Sequence, residues 1–137
     1  MKKILFIAIC CLCLCGCDKN KNKDLLLGDW SFSKTEIGET VYSYFSFNND
    51  NTFKYNFCAY RTTDNSCTNG EAEFSGTYTL KDNILKLIVT DKKQITDRYN
   101  SNVSEPSDSY IIDFDNMYFC DRNNGLDCKE KYEKDTN

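Results

Sequence analysis

Beyond residue 24, the apolar side chains recur with a period of two, the spacing of a half-buried β-strand rather than a helix. In Val41–Phe47 the residues Val41, Phe45 and Phe47 share one face, and in Thr52–Phe57 the apolar positions are Phe53, Tyr55 and Phe57. Between them lies Asn48-Asn49-Asp50-Asn51, whose side chains tolerate left-handed turns, so the two runs predict a hairpin. The pattern returns in Ala72, Phe74, Gly76, Tyr78 and Leu80. Lys81-Asp82-Asn83 then turns the chain, and Ile84–Val89 runs back with Leu85, Leu87 and Val89 facing inward and Ile84 and Ile88 on the other face. Near the end Tyr110, Ile112 and Phe114 alternate with polar neighbours and Ile111, Asp115-Asn116 turns, and Met117–Cys120 returns.

With a further strand from about Leu26 to Ser33, the chain predicts an all-β domain of seven or eight antiparallel strands joined mostly by tight turns. Such a meander removes exposed edges by closing into a barrel or by folding into a β-sandwich. No stretch reads as an amphipathic helix. Residues 126–134 tolerate either a helix or a short terminal strand, and residues 90–109, with the sole proline Pro106, read as a long loop flanking a weak strand at Ile95–Tyr99. Residues 18–24, Asp-Lys-Asn-Lys-Asn-Lys-Asp, hold no apolar side chain to offset the entropy of ordering them, so 17–24 is expected as a flexible tether and 25–137 as the β domain.

The tether has something to hold. Lys2 and Lys3 precede an apolar run from Ile4 to Gly16, too short for a bilayer span of roughly 20 residues but suited to a secretory signal. Leu14-Cys15-Gly16-Cys17 resembles the lipobox of bacterial lipoproteins. That resemblance implies a signal peptide over 1–16, a diacylglyceryl thioether on Cys17, and a lipid anchor (palmitate among its acyl chains) in a membrane of the cell envelope. The covalent lipid is the only attached group expected, with no separate cofactor. The nine cysteines then sort themselves: Cys10, Cys11, Cys13 and Cys15 leave with the signal and Cys17 takes the lipid. Cys58, Cys67, Cys120 and Cys128 remain, an even set in an oxidising compartment. Cys58–Cys67 with Cys120–Cys128 is favoured because each pair closes a short loop. A four-thiolate zinc site is the alternative, and it lacks the close C-x-x-C pairs usual for zinc. The chain carries 17 basic against 21 acidic residues, and losing Lys2 and Lys3 takes the net charge from −4 to −6. That sign argues against nucleic acid or anionic lipid headgroups as a partner, since both demand basic patches.

Leu27-Gly28-Asp29-Trp30 resembles the opening of lipocalin-like domains, in which a Gly-x-Trp sets an indole across the closed end of a β-barrel. Gly76-Thr77-Tyr78-Thr79-Leu80 followed by Asn83-Ile84-Leu85-Lys86-Leu87 is similar to the Gly-x-Tyr strand, turn and aliphatic strand of small lipocalin-like lipoproteins. The resemblance implies a small barrel whose interior could hold an apolar ligand lined by Trp30, Phe45, Phe53, Tyr55 and Tyr78. An eight-stranded barrel is only just wide enough for side chains or one small molecule, and the 18 aromatic residues beyond the signal tend to fill it, which favours a packed core over an open pocket.

Catalysis finds little to work with. The chain has no histidine, which removes the commonest general base, zinc ligand and nucleophile activator. Glu71 with Glu73 and Asp113 with Asp115 are the available carboxylate pairs, and they read as a solvated strand face and a turn. Asp121–Asp127 spaces oxygen ligands before Gly125 but lacks the EF-hand pattern. No catalytic or metal site is expected. Tyr42, Tyr44 and Tyr60 lie opposite their strands' apolar sets, where exposed rings favour protein contacts. Two functions are compatible with these features: a lipocalin-like cup for a small apolar ligand, or an interaction module with a filled core. The second would engage an envelope or host protein through loops 61–70 and 91–109, in the manner of lysozyme-inhibitor lipoproteins. Ser75-Gly76-Thr77-Tyr78 only approaches that group's Ser-Gly-x-x-Tyr motif.

Overall fold

The computed structural model describes residues 18–36, 38–61, 70–96, 105–122, 128 and 130–136. A helix, α1 (Asp18–Leu26), precedes eight strands: β1 (Gly28–Glu36), β2 (Glu39–Phe47), β3 (Thr52–Arg61), β4 (Gly70–Lys81), β5 (Ile84–Thr96), β6 (Ser109–Asp113), β7 (Tyr118–Asp121) and β8 (Tyr132–Lys134). Each strand pairs with the next, and β8 pairs antiparallel with β1 through Trp30↔Lys134 and Ser31↔Glu133. The meander therefore closes as a barrel and not as a sandwich, through short pairings of β5 with β6 and of β1 with β8.

The predicted alternation holds through β2, β3 and β4, the first half of β5 and β6, because a sheet with one face on a core must place every second side chain inside. Register stacks the inner residues in layers across β1 to β4. Trp30, Phe45, Tyr55 and Phe74 lie side by side, and Phe47, Phe53 and Gly76 lie beneath them. Above them come Phe32, Ser43, Phe57 and Ala72. Leu85, Leu87, Tyr110, Ile112, Phe119 and Tyr132 complete the core from the remaining strands.

Two expectations change, and a third, left open between two readings, resolves. Residues 18–24, expected as part of a flexible tether, are helical, and Leu26 belongs to that helix, so β1 starts two residues later than expected. Contacts with the barrel order this polar segment: Leu26 is fully buried, and Lys23 Nζ donates to Asn49 O at 2.8 Å. Gly28, at φ +102°, then takes the left-handed backbone that turns the chain from helix into strand. The second change is in residues 90–96, expected as loop, which continue β5 past register shifts opposite Glu71/Ala72 and Ser75/Gly76. At the second shift Gly76 pairs with Val89 and Ser75 with Asp91, leaving Thr90 as the extra residue of a bulge. Residues 97–104, which include most of the weak strand expected at Ile95–Tyr99, lie outside the described residues. Third, within 126–134, the two readings resolve at the end of the segment into the short strand β8.

Cys120 and Cys128 form a disulfide with Cα atoms 5.4 Å apart, as expected. Cys67, and with it the Cys58–Cys67 pairing, lies outside the described residues, as does Cys17.

Candidate functional site

The barrel has two unlike ends. At the end carrying α1, Trp30 Nε1 donates to Leu26 O at 2.8 Å, and Lys134 Nζ donates to Leu25 O while lying 5.5 Å from the centre of the Trp30 ring. The indole, the helix terminus and the lysine thus shut this end, which explains the Gly-x-Trp spacing: Gly28 makes the bend and Trp30 is the first inward residue after it.

Beside the indole the interior is rings. Phe45 lies at the centre, with centroids 4.5 Å from Tyr55, 5.1 Å from Tyr132, 5.4 Å from Phe119 and 5.6 Å from Tyr110. Trp30, Phe45 and Phe53 are fully buried among such neighbours, so these rings, expected to line a pocket, are the core that fills it. Tyr55 belongs to the same cluster, and only its hydroxyl reaches a polar neighbourhood. Tyr78 is inward but near the α1 end, where its hydroxyl donates to Asn48 O at 2.8 Å.

Toward the other end the rings finish in hydroxyls. Ser43 Oγ and Tyr132 OH are 3.0 Å apart and buried, and Tyr55 OH interacts with both. Tyr110 OH accepts from Ser107 N at 2.9 Å. Burial, and then the proximity of one phenol to another, raises Tyr110 and Tyr132 well above the usual phenol range, and burial raises Tyr55. All three stay neutral at physiological pH, each able to donate and to accept a hydrogen bond. Sequence reasoning missed this cluster because its members come from β2, β3, β6 and β8. Alternation already placed Tyr55 and Tyr110 inward; Tyr132, a lone tyrosine among charges, gave no signal.

Past the hydroxyls the inward side chains shrink. The layer holding Ser43 also holds Ala72, with half-buried Phe32 and Phe57 as walls, and the next register positions are Val41, Ala59 and Gly70. Lys92, paired in register with Phe74, stands 5.2 Å from that ring's centre and bridges Glu105 at 3.5 Å.

The raised phenols dictate a pH response. Their folded-state pKa values exceed the unfolded one, so their contribution is complete below the unfolded phenol pKa of about 10 and is lost as pH rises beyond it. Each tyrosine kept neutral costs about 1.4 kcal/mol per pH unit in that range. Urea midpoints should hold between about pH 6 and 9, then fall steeply above about 10, with a shallower fall for Tyr132→Phe. A midpoint flat to about pH 12 would mean that the phenols ionise in the folded state.

The other candidates are structural. Asp113 accepts from Asp115 N and Asn116 N, each at 3.0 Å, so its carboxylate closes the β6–β7 turn; its pKa is lowered by the Asn116 side chain first. Glu71 and Glu73 are half-buried on the outer face of β4. Tyr42 is exposed, while Tyr44 and Tyr60 are half-covered. Residues 123–127 of the Asp121–Asp127 run lie outside the described residues, as do 62–69 of the first expected contact loop. Among the described residues no group of three or more metal-ligating side chains comes together, and no helix is long and apolar enough to cross a membrane.

A family model described as a lipocalin-like domain matches residues 26–107, more than half of the chain. No curated protein matches the chain.

Proposed function

The chain belongs to the lipocalin-like domain family, and from that premise we propose that it is a lipid-anchored, non-enzymatic cell-envelope protein binding a small apolar or amphipathic molecule opposite α1. The observation that carries this reading is the change in side-chain size along the barrel. Where Phe45, Tyr55 and Phe74 fill one layer, the next has Ser43, Phe57 and Ala72 on the same strands, so that two of the three shrink, and the layer beyond has Val41, Ala59 and Gly70. Small side chains over a floor of neutral hydroxyls suit a ligand that presents an apolar body to Phe32 and Phe57 and one hydrogen-bonding group to Ser43, Tyr55 and Tyr132. The site is shallow, because the rings below leave no room for a deep calyx. The anchor rests on the lipobox-like Leu14–Cys17 and on Cys17 as the lipid acceptor, with the periplasm or cell surface as its location.

Native mass spectrometry of the mature chain from its own host tests the binding reading, with a co-purified small molecule as the expected result. Ala72→Phe should abolish that adduct and the saturable fluorescence of an apolar naphthylamine dye while the far-UV circular dichroism of the barrel is kept; because Ala72 is buried, overpacking there should cost about 1–3 kcal/mol of stability. No adduct and no saturable dye binding would overturn it in favour of an interaction module. The specific observation on that side is the outer face of β5 and β6, where Ile88 is 61% and Ile111 41% exposed and the register sets Ile111 beside Ile84.

A further inference from the structure

Helix α1 changes what the anchor would do. Resting on the reading of Cys17 as the lipid acceptor, we propose that α1 is a stem that seats the closed end of the barrel on the membrane and turns the opposite end outward. A disordered tether of residues 17–24 would leave the domain free to tumble, since an extended chain reaches about 3.3–3.6 Å per residue. In the folded chain the helix starts at Asp18, the residue directly after Cys17. Only about 6 Å of helix, four residues at about 1.5 Å each, separates Asp18 from Asn22.

From Asn22 onward the helix is fixed to the barrel at separate places. Asn22 Nδ2 donates to Asp82 O at 3.4 Å in the β4–β5 turn, and Lys23 Nζ donates to Asn49 O at 2.8 Å in the β2–β3 turn. Leu25 O accepts from Lys134 of β8, and Leu26 O accepts from Trp30 of β1. Four contacts to four parts of one end leave the helix no hinge between Asn22 and the barrel. A lipid so close to that end forces the same end against the leaflet.

The surface there suits a bilayer interface. A groove of about 490 Å³ lies where α1 meets the β4–β5 turn, lined by Tyr78 and Leu80 together with Asn22, Lys23, Asn51, Lys81 and Asp82. Two ammonium groups and one carboxylate beside Tyr78 and Leu80 match a zwitterionic phospholipid headgroup: phosphate against the lysines, amine against Asp82. The mouth then faces the aqueous side, and its ligand arrives from solution rather than from the bilayer.

The test uses the full lipidated chain in vesicles of phosphatidylethanolamine and phosphatidylglycerol, with hydrogen exchange compared against the unlipidated chain from Asp18 and the same vesicles. The expected result is about tenfold slower exchange in the turns at Asn49–Asn51 and Asp82–Asn83, with no change at the Glu36–Glu39 turn. Asn22→Pro, which breaks the helix, should abolish that protection while vesicle binding persists. Equal exchange at the two ends, protection at Glu36–Glu39, or protection unaffected by Asn22→Pro would overturn the stem although the anchor stood. An intact mass lacking the diacylglyceryl group on Cys17 would instead overturn the anchor, and the stem with it.

Discussion

Gly76→Ala should abolish the cooperative fold. Gly76 points into the barrel from β4, and a Cβ built on it would lie 1.9 Å from Ile88 O, 2.9 Å from Ile88 C and 3.0 Å from Val89 Cα. All three are backbone atoms, so no rotamer change relieves the overlap. The β5 strand would have to retreat at the position where the bulge at Thr90 brings it across Gly76, and the pairings on either side, Ser75↔Asp91 and Thr77↔Ile88, would open with it. A single methyl in a core typically costs about 1–3 kcal/mol by overpacking. Here the obstacle is the ladder itself, and the expected loss exceeds about 4 kcal/mol, a large share of the roughly 5–15 kcal/mol that holds a domain together. Thr77→Ala, one residue on and exposed, should cost about 1 kcal/mol or less. Urea titrations followed by far-UV circular dichroism compare the two; a Gly76→Ala midpoint near that of the wild type would show that β4 and β5 do not approach as described.

The glycine also shows how far the sequence could be read. Its place in Gly76-Thr77-Tyr78 was visible as a resemblance, but the reason for it was not, because the bulge sets which backbone atom meets Gly76. The same bulge hid the far half of β5. After Thr90 the inward positions shift by one, so Lys92 falls beside Phe74, and Asp91-Lys92-Lys93 reads as loop to any rule of strict alternation. Helix α1 was illegible for a different reason. Its residues up to Asp24 carry no apolar side chain, and its order comes from carbonyls at Asn49 and Asp82, 26 and 60 residues away in the chain. By contrast, the strands of residues 41–57 and 72–89 could be read directly from alternation and turn residues, since each side chain's face is decided locally by the pleat. The five rings expected around a ligand fall between these cases: their inward direction was legible, but whether the space between them was open depended on Tyr110, Phe119 and Tyr132 arriving from the last three strands.

Whether that space is full can be decided at Phe45. Phe45→Ala should destabilise the barrel by about 3–5 kcal/mol, toward the upper end of that range. The cost of a lost ring depends on how far its neighbours can close in, and here they cannot go far. Phe47 stacks at 5.6 Å, Tyr55 lies at 4.5 Å, and Tyr110, Phe119 and Tyr132 stand edge-on from β6, β7 and β8. These rings are held by strands on different sides of a closed sheet, so a void remains, and its lining is almost wholly apolar. Such voids stay dry and take up small aromatic molecules. Benzene should therefore raise the melting temperature of Phe45→Ala, gaining about 2.7 kcal/mol at a hundredfold excess over its dissociation constant, and leave the wild type unmoved. A ring lining an open pocket behaves in the opposite way: its truncation would cost about 1 kcal/mol or less, and the wild type itself would respond to benzene. The second pattern would return Trp30, Phe45 and Phe53 to the ligand site and extend the cup down to the indole. The first would confine recognition to the hydroxyl floor and the small side chains above it, and limit the ligand to one that reaches Ser43 from the mouth.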